Sequence, residues 1–402
     1  MASGEASTGR RVVVLGGGYC GSDVAARLER SGGLQVTLVD ARPFALHKIC
    51  GLRAAVDERW KAAVAVPRKR LKRTRVVVGR CVQVSESDVV MAQGERIPYD
   101  VLVCATGARN VSPGEPPAWL SSEAEVEAWF AGIRAHIARA SRILVVGGGV
   151  VGVELAGELS ELYSASKKVT LAHAGARLMD GMRNVPGASM QRSLRRQLRA
   201  RNVDVLLGAL AELELAQFPP GQPWLAGERV VKLSGGREVA CDLVLLCTGT
   251  RPNSEMFPHD WLDAKGQLRV GPTLLCEARP NVLALGDITN LPEDKMLLFA
   301  QRQVATAVLN ARALAARRGA EALRTHSSLL ATYSGLIVVP LGSSGGAMQT
   351  PVLTLGAWVA SAVKGSDLLT AKVFASLGAR APIIPKRPSS NEPRAPKLAA
   401  RL

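Results

Sequence analysis

The sequence carries one glycine-rich turn twice. The first copy is Gly16-Gly17-Gly18-Tyr19-Cys20-Gly21, and the second is Gly147-Gly148-Gly149-Val150-Val151-Gly152. Each copy directly follows a continuous apolar run, which is typical of a buried parallel strand, and precedes a helical pattern. Strand, glycine turn and helix form the βαβ unit that binds a dinucleotide. Because the unit is duplicated, the chain is expected to contain two nucleotide-binding domains.

The glycines of the first copy have distinct roles in such a unit. Gly16 permits the tight turn, Gly18 lets a pyrophosphate approach the backbone, and Gly21 lets the helix pack closely against the strand. The next strand ends at Asp40, 19 residues after Gly21. A carboxylate at that place can accept hydrogen bonds from a ribose. The predicted site comprises Asp40 and the whole turn, residues 16–21.

The second copy differs from the first at the end of its following strand. His173 stands where an NAD-specific site usually has an acid, and Arg177 lies four residues further along. Without the acid nothing repels a ribose 2′-phosphate, and Arg177 could pair with one. The second site, which includes Gly147, Gly149, Gly152 and His173, is therefore expected to use NADH and NADPH comparably. A solvated histidine and arginine in a loop remain the alternative interpretation.

Three further apolar strands end in small residues. Two of them lead to Gly107 and Gly249, where the chain would cross between domains. These two glycines and Gly286 are also predicted to contact a cofactor. The third leads to Gly286-Asp287 and a helix expected at residues 295–316. An acid after a buried strand is often only a helix cap. Here it follows two nucleotide motifs, and we expect Asp287 to bind the ribityl or pyrophosphate of FAD.

Together these patterns predict an α/β protein with two Rossmann-like dinucleotide-binding domains and a small C-terminal α+β domain. Strands are expected at residues 329–340 and 352–363 of the latter. The longest apolar stretch, residues 352–363, is well short of the roughly 20 residues that span a bilayer, so no transmembrane helix is expected. The expected boundaries are residues 1–110 and 242–320 for the FAD domain, 111–241 for the NAD(P)H domain, 321–381 for the C-terminal domain and 382–402 for a basic, proline-rich tail.

The seven cysteines contain neither a C-x-x-C pair nor the spacing of a zinc site. We therefore expect no metal, a reducing compartment, and no dithiol chemistry of the thioredoxin-reductase kind. One thiol leaves an alternative open. Cys50 lies ten residues after Asp40, a spacing similar to that of single-cysteine NADH oxidases, peroxidases and coenzyme A-disulfide reductases, in which the thiol cycles through sulfenic acid or a mixed disulfide.

Two nucleotide motifs followed by Gly286-Asp287 resemble the two-dinucleotide-binding flavoproteins. Within them the chain is most similar to the ferroptosis-suppressor, apoptosis-inducing-factor-like NAD(P)H:quinone oxidoreductases. The resemblance implies FAD as cofactor, NADH or NADPH as electron donor, and a hydride that passes through the flavin to a ubiquinone-like quinone, which becomes an antioxidant quinol. The similar segments are residues 12–21, 52–56, 146–154, 281–290 and 364–369.

The same resemblance implies roles for individual residues. Arg53 and Cys81 would contact FAD, with the backbone of Cys81 beside the adenine. Glu154 would lie by the nicotinamide and the flavin, and Lys364 near the flavin, so these two are the predicted catalytic residues. The segment Gly342-Ser343-Ser344-Gly345 has small residues where relatives often have a basic and an acidic one, which leaves the quinone specificity open.

The chain is strongly basic, with 51 Lys and Arg against 34 Asp and Glu and a formal net charge of +17. Much of the excess lies at residues 61–75 and in the tail. Such charge attracts anionic lipid and nucleic acid alike. We expect peripheral contact with an anionic membrane. Binding of nucleic acid, which occurs among apoptosis-inducing-factor relatives, is a third hypothesis for the function.

The ends of the sequence give expectations about location. No apolar segment precedes the first strand, so no secretory signal is expected and the cytoplasm is the simplest location. The chain begins Met1-Ala2, without the Met-Gly start that allows myristoylation in some relatives. The final Ala400-Arg401-Leu402 resembles the S-K-L peroxisomal address, so the peroxisome is an equal alternative. The oligomeric state is left open.

Overall fold

The framework of the protein is a pair of five-stranded sheets, seen in a computed structural model that describes residues 9–327 and 335–385. The first sheet is entirely parallel. Its central strand carries the continuous apolar run before the first glycine turn, and all of Val12, Val13, Val14 and Leu15 are buried. In spatial order its strands are Val282–Ala284, Val101–Cys104, Arg10–Leu15, Leu34–Asp40 and Arg75–Val78.

Both faces of the first sheet are covered, because successive side chains of a strand point to opposite faces. Val12 and Val14 pack against the helices Tyr19–Leu28 and Leu297–Ala315. The second helix confirms the one predicted at residues 295–316. Val13 and Leu15 pack on the other side, under a small antiparallel sheet. The strands of this covering sheet are Cys81–Val84, Asp88–Met91 and Arg96–Pro98.

The second five-stranded sheet is parallel except for a hairpin at one edge. Ile143 and Val145 of its central strand pack against three helices. The helices are Glu123–Arg139, Val150–Tyr163 and Ala188–Ala200. In spatial order the strands are Val203–Leu206, Lys168–Ala172, Arg142–Val146, Arg237–Leu246 and Trp224–Leu233. The two expected Rossmann-like units are thus confirmed.

The chain crosses between the two sheets twice, and the crossings are joined to each other. Ala108–Asn110 leaves the first sheet and pairs antiparallel with Thr250–Pro252, which leaves the second. The segment after the first crossing is held against the helix Lys48–Val56. A Cβ on Gly51 of that helix would lie 2.0 Å from the carbonyl oxygen of Gly114, so only glycine allows this approach.

Beside that helix two short strands, Phe44–Leu46 and Ala65–Pro67, pair antiparallel. Short 3₁₀ turns complete the described chain. They are Glu29–Ser31, Glu58–Ala63, Leu215–Gln217, Ser234–Gly236, His259–Trp261, Gly286–Ile288 and Ala320–Ala322. Among residues 9–327 and 335–385, no helix combines the length and the hydropathy that a transmembrane segment requires.

The described end of the chain contains a small antiparallel sheet and short helices. The strands are Ile337–Leu341, Gly345–Gln349 and Thr354–Leu355. The helices are Ala357–Ala360, the π-helix Ser361–Gly365 and Thr370–Ser376.

The strand predicted at residues 352–363 is therefore wrong. Only Thr354–Leu355 is paired, and the chain is helical from Ala357. Val352 is 89% exposed and Leu353 50%, so the apolar run belongs to a surface rather than to a buried strand. Of the strand predicted at residues 329–340, the structure contains Ile337–Leu341, and residues 329–334 lie outside the described ranges.

Candidate active site

The first glycine turn has the geometry of a pyrophosphate cradle. Gly16 has a φ of 101°, and a Cβ there would lie 2.5 Å from the carbonyl oxygen of Ala105. A Cβ on Gly21 would lie 1.8 Å from the carbonyl oxygen of Gly16. A Cβ on Gly18, in contrast, would meet no atom within 4 Å. The backbone of Gly18 is thus open to a ligand at the start of the helix, where an anion is favoured, and the turn fits the pyrophosphate of FAD.

Asp40 closes this turn from the neighbouring strand. Its Oδ2 accepts a hydrogen bond from the Gly17 N–H at 2.5 Å, and its Oδ1 lies 3.0 Å from the guanidinium of Arg68. Arg68 also donates to the carbonyl oxygen of Gly17 at 2.8 Å, and its side chain is only 4% exposed. The sequence places Arg68 in a basic surface segment, but the structure assigns it to the buried support of the nucleotide turn.

The second glycine turn repeats this geometry with a different acceptor. A Cβ on Gly152 would lie 1.8 Å from the carbonyl oxygen of Gly147, and one on Gly149 would meet nothing within 4 Å. The N–H of Gly148 donates to Nδ1 of His173 at 3.1 Å. His173 thus occupies the place that Asp40 has in the first turn.

An acid that the sequence did not indicate stands behind this histidine. Nε2 of His173 lies 3.0 Å from Oδ1 of Asp180, and because Nδ1 accepts from Gly148, Nε2 carries the proton and donates it. The interpretation of His173 as a solvated loop residue is wrong, since its side chain is only 14% exposed. Arg177 is exposed. Asp180 could have been found only from the loop conformation, which has no pattern in the sequence.

The two sheet strands that lead to the crossings, Val101–Cys104 and Arg237–Leu246, end beside the glycine turns. The carbonyl of Ala105 approaches Gly16, and that of Cys247 approaches Gly147, where a Cβ would lie 2.2 Å from its oxygen. Just beyond these contacts Gly107 and Gly249 have φ values of 65° and 84°. Only glycine adopts such angles readily. Both glycines therefore turn the chain away from the carboxyl ends of the parallel strands, where nucleotide sites lie.

Asp287 lies at the same edge of the first sheet, in the short turn Gly286–Ile288. Burial raises the pKa of its carboxyl group, and the positive charges of Lys48 and Lys295 oppose that shift. Within the described residues the carboxylate makes no hydrogen bond or ion pair. A largely enclosed carboxylate without a protein donor fits the hydroxyl groups of a bound ribityl chain.

The backbone beside Asp287 is fixed by a chain of buried polar groups. The N–H of Gly286 donates to Oε1 of Gln303 at 2.6 Å, and Nε2 of Gln303 donates to Glu293 at 2.8 Å. Glu293 in turn lies 3.0 Å from Nε2 of His326. Gln303 therefore anchors the turn that carries Asp287, a role that the sequence did not indicate.

The predicted catalytic residues Glu154 and Lys364 are in direct contact. Nζ of Lys364 donates to Oε1 of Glu154 at 2.7 Å, and the two side chains are 20% and 11% exposed. Glu154 lies at the start of the second turn of the helix that begins at Val150. Lys364 lies in the π-helix Ser361–Gly365, a local distortion that often marks functional sites. The structure thus brings together two residues 210 positions apart.

Arg53 forms a buried ion pair with Glu158, one helical turn beyond Glu154. Its Nη2 and Nε donate to the two carboxylate oxygens at 2.8 and 2.9 Å, and its guanidinium lies 4.8 Å above the ring centroid of Trp60. Burial raises the pKa of the Glu158 carboxyl group, and the charge of Arg53 opposes that shift. The pair is not a surface salt bridge, and the contact of Arg53 with FAD stays a prediction.

A cavity of about 390 Å³ opens beside this ion pair. Its wall combines Arg53 and Glu158 with the apolar side chains of Trp60, Leu162 and Ile384. This volume is within the usual range of small-molecule sites.

The segment Gly342-Ser343-Ser344-Gly345 contacts the helix Val150–Tyr163 near its C-terminal end, at Glu161. The N–H of Ser343 donates to Glu161 at 2.6 Å, and Nη1 of Arg201 donates to the carbonyl oxygen of Leu341 at 2.7 Å. Ser343 and its neighbours therefore anchor the C-terminal sheet to the nucleotide domain.

The cysteines of the described chain are all free thiols. Cys50 is fully buried, and its Sγ donates to the carbonyl oxygens of His47 and Ala63 at 3.2 and 3.4 Å. Burial raises the pKa of this thiol far above its ordinary value, so the thiolate is suppressed. Burial also raises the pKa of Cys20 to about 12 and that of Cys81 to about 11. Residues 9–327 and 335–385 contain no cluster of side chains suited to a metal ion.

The other side chains of the first turn face the protein. The hydroxyl of Tyr19 lies 2.8 Å from Nδ1 of His47 and accepts from the N–H of Ile49 at 3.3 Å. Nε2 of His47 lies 3.3 Å from the hydroxyl of Thr370. The hydroxyl of Tyr19 is thus already bonded, and a cofactor contact of this residue would use its backbone. The strand Arg75–Val78 ends beside Asp40, and Cys81 begins the next strand a few residues later. The contact of Cys81 with the adenine stays a prediction.

Comparison with known proteins agrees with this geometry. The model of the pyridine nucleotide-disulphide oxidoreductase family matches residues 61–312. Apoptosis-inducing factor homolog B of Dictyostelium discoideum is 27% identical over 93% of this chain and 98% of its own length. Human ferroptosis suppressor protein 1 is 31% identical over 74% of this chain and 79% of its own length.

Among solved structures, the sulfide:quinone oxidoreductase from Aquifex aeolicus superposes with a TM-score of 0.69 at 17% identity. The superposition covers 91% of this chain and 92% of that one. At this identity it shows the fold alone. The glycine turns, the family match and the curated relatives agree with that fold and together identify the family. The chain belongs to the pyridine nucleotide-disulphide oxidoreductase family, as an FAD-dependent enzyme of the apoptosis-inducing-factor and ferroptosis-suppressor type that takes electrons from NAD(P)H.

Proposed function

We propose that this enzyme reduces a quinone of the ubiquinone type with electrons from NAD(P)H. The contact between Glu154 and Lys364 carries the proposal, because it places an ionisable pair directly after the second glycine turn. The cavity bounded by Trp60 and Glu158 lies one helical turn further along and supplies room for a small acceptor. The name of the similar structure from Aquifex aeolicus also includes a quinone as acceptor.

The chain's own residues divide the binding of the two cofactors. The first glycine turn, Asp40 and Asp287 would hold FAD, with Arg53 and Cys81 as further expected contacts. The second glycine turn and His173 would hold the nicotinamide dinucleotide. When bound, FAD would supply the redox chemistry, which is the transfer of two electrons from the nicotinamide to the acceptor.

Glu154 and Lys364 can manage the protons of this reaction. A quinone takes up two protons together with two electrons when it becomes a quinol. Lys364 holds a proton on Nζ that it shares with Glu154 across 2.7 Å, within the range for direct proton transfer. Its ammonium group also stabilises negative charge that develops on an acceptor oxygen.

The test is to break this pair without changing the fold. We expect Glu154→Gln and Lys364→Met each to lower NAD(P)H-dependent quinone reduction at least about tenfold, while the absorbance of bound FAD stays that of the wild type. Lys372→Met removes an exposed lysine of the same C-terminal part and is the matched control. Wild-type turnover in both pair variants would refute the proposed roles.

The acceptor itself is identified by a separate measurement. The enzyme is reduced anaerobically with NADH or NADPH and then mixed with a short-chain ubiquinone, O₂, a disulfide or a peroxide. We expect the quinone to reoxidise the flavin fastest. Faster reoxidation by the disulfide or the peroxide would replace quinone reduction with thiol-dependent chemistry.

A further inference from the structure

The helix Ala188–Ala200 carries four arginines and no acidic residue. Arg192, Arg196 and Arg199 are exposed, and Arg195 is half-buried. None of the four forms an ion pair or a side-chain hydrogen bond with the described residues. Like charges spaced three or four apart on a helix repel each other. No carboxylate on this helix offsets that repulsion. We call the side of the helix that carries these arginines the arginine face.

The basic segment at residues 61–75 is different, because four of its seven cations form ion pairs. Lys61 pairs with Glu58 at 2.9 Å, Arg70 with Asp23 at 3.2 Å and Arg75 with Glu95 at 2.8 Å. Arg68 is buried under the first glycine turn. Within the described residues, the arginines of this helix thus lack the carboxylate partners that several cations of residues 61–75 have.

A groove of the surface runs along the arginine face. One wall consists of Arg192 and Arg196 with the hydroxyl-bearing Ser189 and Ser193, and the other includes Thr354. Guanidinium and hydroxyl groups are the side chains that bind phosphate oxygens most readily. The chemistry of the groove therefore fits a phosphate group.

Exposed apolar side chains flank one wall of this groove along the chain. Val352 is 89% exposed, Leu353 50% and Trp358 82%. Val352 and Leu353 directly precede Thr354 of the groove wall, and Trp358 follows the same wall by a few residues. Large apolar side chains grouped in water mark contact sites, and tryptophan is favoured where an apolar medium meets water. We call these three residues the apolar tip.

We propose that the arginine face and the apolar tip together dock the enzyme on an anionic lipid bilayer. Lipid phosphates lie in the groove between Arg192 and Arg196, and the apolar tip enters the boundary between headgroups and acyl chains. The apolar tip favours lipid over nucleic acid, since contact with a phosphate backbone needs the arginines but gives no place to Val352 or Trp358. The inference does not depend on the identity of the electron acceptor.

The test is sedimentation of the full-length holoenzyme with vesicles. We expect vesicles that contain phosphatidylserine to bind the wild type, and vesicles of phosphatidylcholine alone to bind it much more weakly. Arg192→Gln with Arg196→Gln should weaken binding about tenfold or more, because each basic residue near an anionic surface contributes to the attraction. Lys69→Gln with Lys72→Gln removes the same charge from residues 61–75 and should change binding little.

The apolar tip is tested with Val352→Ser and Trp358→Ser in the same assay. The loss of binding here should persist at raised salt, since it removes apolar insertion rather than charge. Reduction of a water-soluble quinone should stay at the wild-type rate in all these variants, which separates this inference from the proposed function.

Two outcomes would overturn the inference. One is binding that is equal for both vesicle types, or that falls as much in the Lys69/Lys72 variant as in the Arg192/Arg196 variant. The other is an affinity for a DNA duplex that depends on the arginines while neither group of substitutions affects vesicle binding, which would make nucleic acid the partner of this face.

Discussion

At the scale of single residues, one hydrogen-bond acceptor distinguishes the two nucleotide sites. Asp40 and His173 each accept the N–H of the second glycine of their turn. Asp40 brings a negative charge and is held by Arg68. His173 presents an uncharged nitrogen, Nδ1, to the turn. The carboxylate of Asp180 lies on the opposite side of the imidazole ring, at Nε2.

His173→Asp should therefore change the choice of nicotinamide cofactor. A carboxylate at this position repels a ribose 2′-phosphate, so we expect the ratio of kcat/KM for NADH to that for NADPH to rise at least about tenfold over the wild type, which should use both comparably. Arg177→Gln is the companion variant and should weaken NADPH use alone. An unchanged ratio in His173→Asp would show that residue 173 does not face the ribose.

Cys50→Ser tests the thiol hypothesis at the same scale. A serine hydroxyl can donate to the same carbonyl oxygens of His47 and Ala63. We expect NADH-dependent quinone reduction within about twofold of the wild type, because a thiol whose pKa is raised by burial is a poor nucleophile. Loss of NADH oxidation with retained FAD would instead make Cys50 the redox centre.

At the scale of elements, the helix Val150–Tyr163 connects three parts of the chain. Glu154, Glu158 and Glu161 lie on one face, since residues separated by three or four positions are neighbours on a helix. They bind Lys364, Arg53 and Ser343 in turn. The helix is thus both the end of a nucleotide site and the support of the C-terminal sheet.

The buried pair in the middle of this face should respond to single and double substitution differently. Arg53→Met leaves Glu158 buried without a partner, and a broken buried pair costs about 3–5 kcal/mol of folding free energy. Arg53→Met combined with Glu158→Leu removes both charges and should recover most of that loss. Thermal and urea unfolding of the three proteins measure this, and an equal loss in the double variant would mean that packing rather than charge is responsible.

Features that depend on local sequence could be predicted, whereas contacts that depend on the three-dimensional structure could not. The glycine turns and their helices were predictable because turn chemistry and apolar periodicity are local. Asp180 and Arg68 were not, since Arg68 reaches its glycine turn from a distant segment of the chain and Asp180 reaches His173 through the conformation of a loop. Glu154 and Lys364 were identified only through resemblance, and their contact with each other was not predicted. The helix at Ala357 was missed because an exposed apolar run has the composition of a buried strand.

At the scale of the whole molecule, the net charge of +17 is unevenly compensated. Four of the seven cations at residues 61–75 form ion pairs, whereas none of the four arginines of the helix Ala188–Ala200 forms one with the described residues. The basic tail beyond Pro385 and its final Ala400-Arg401-Leu402 lie outside the described residues. A peroxisomal or cytoplasmic location and the binding of nucleic acid therefore stay predictions from the sequence.

His47 connects distant parts of the molecule and should give its stability a particular pH dependence. It bridges Tyr19 and Thr370, and burial lowers its pKa to about 4 from 6.5. A depressed pKa means that the contribution to stability is complete above pH 6.5 and is lost as the pH falls toward 4. The full effect is at most roughly 3 kcal/mol.

His47→Asn removes the titrating group and should flatten this dependence. The variant is expected to be less stable near neutral pH, with a smaller loss of Tm than the wild type between pH 6.5 and 4. Thermal scans across this range measure both. An identical slope in the two proteins would show that other groups govern the acid limb.

The paired crossings Ala108–Asn110 and Thr250–Pro252 have a mechanical consequence. Two separate linkers would let each domain swivel about its own pivot. Two paired strands are hydrogen-bonded to each other and bend together, so the relative motion of the domains is restricted to a common axis. We expect any rotation of one nucleotide domain relative to the other to bend this pair of strands as a unit.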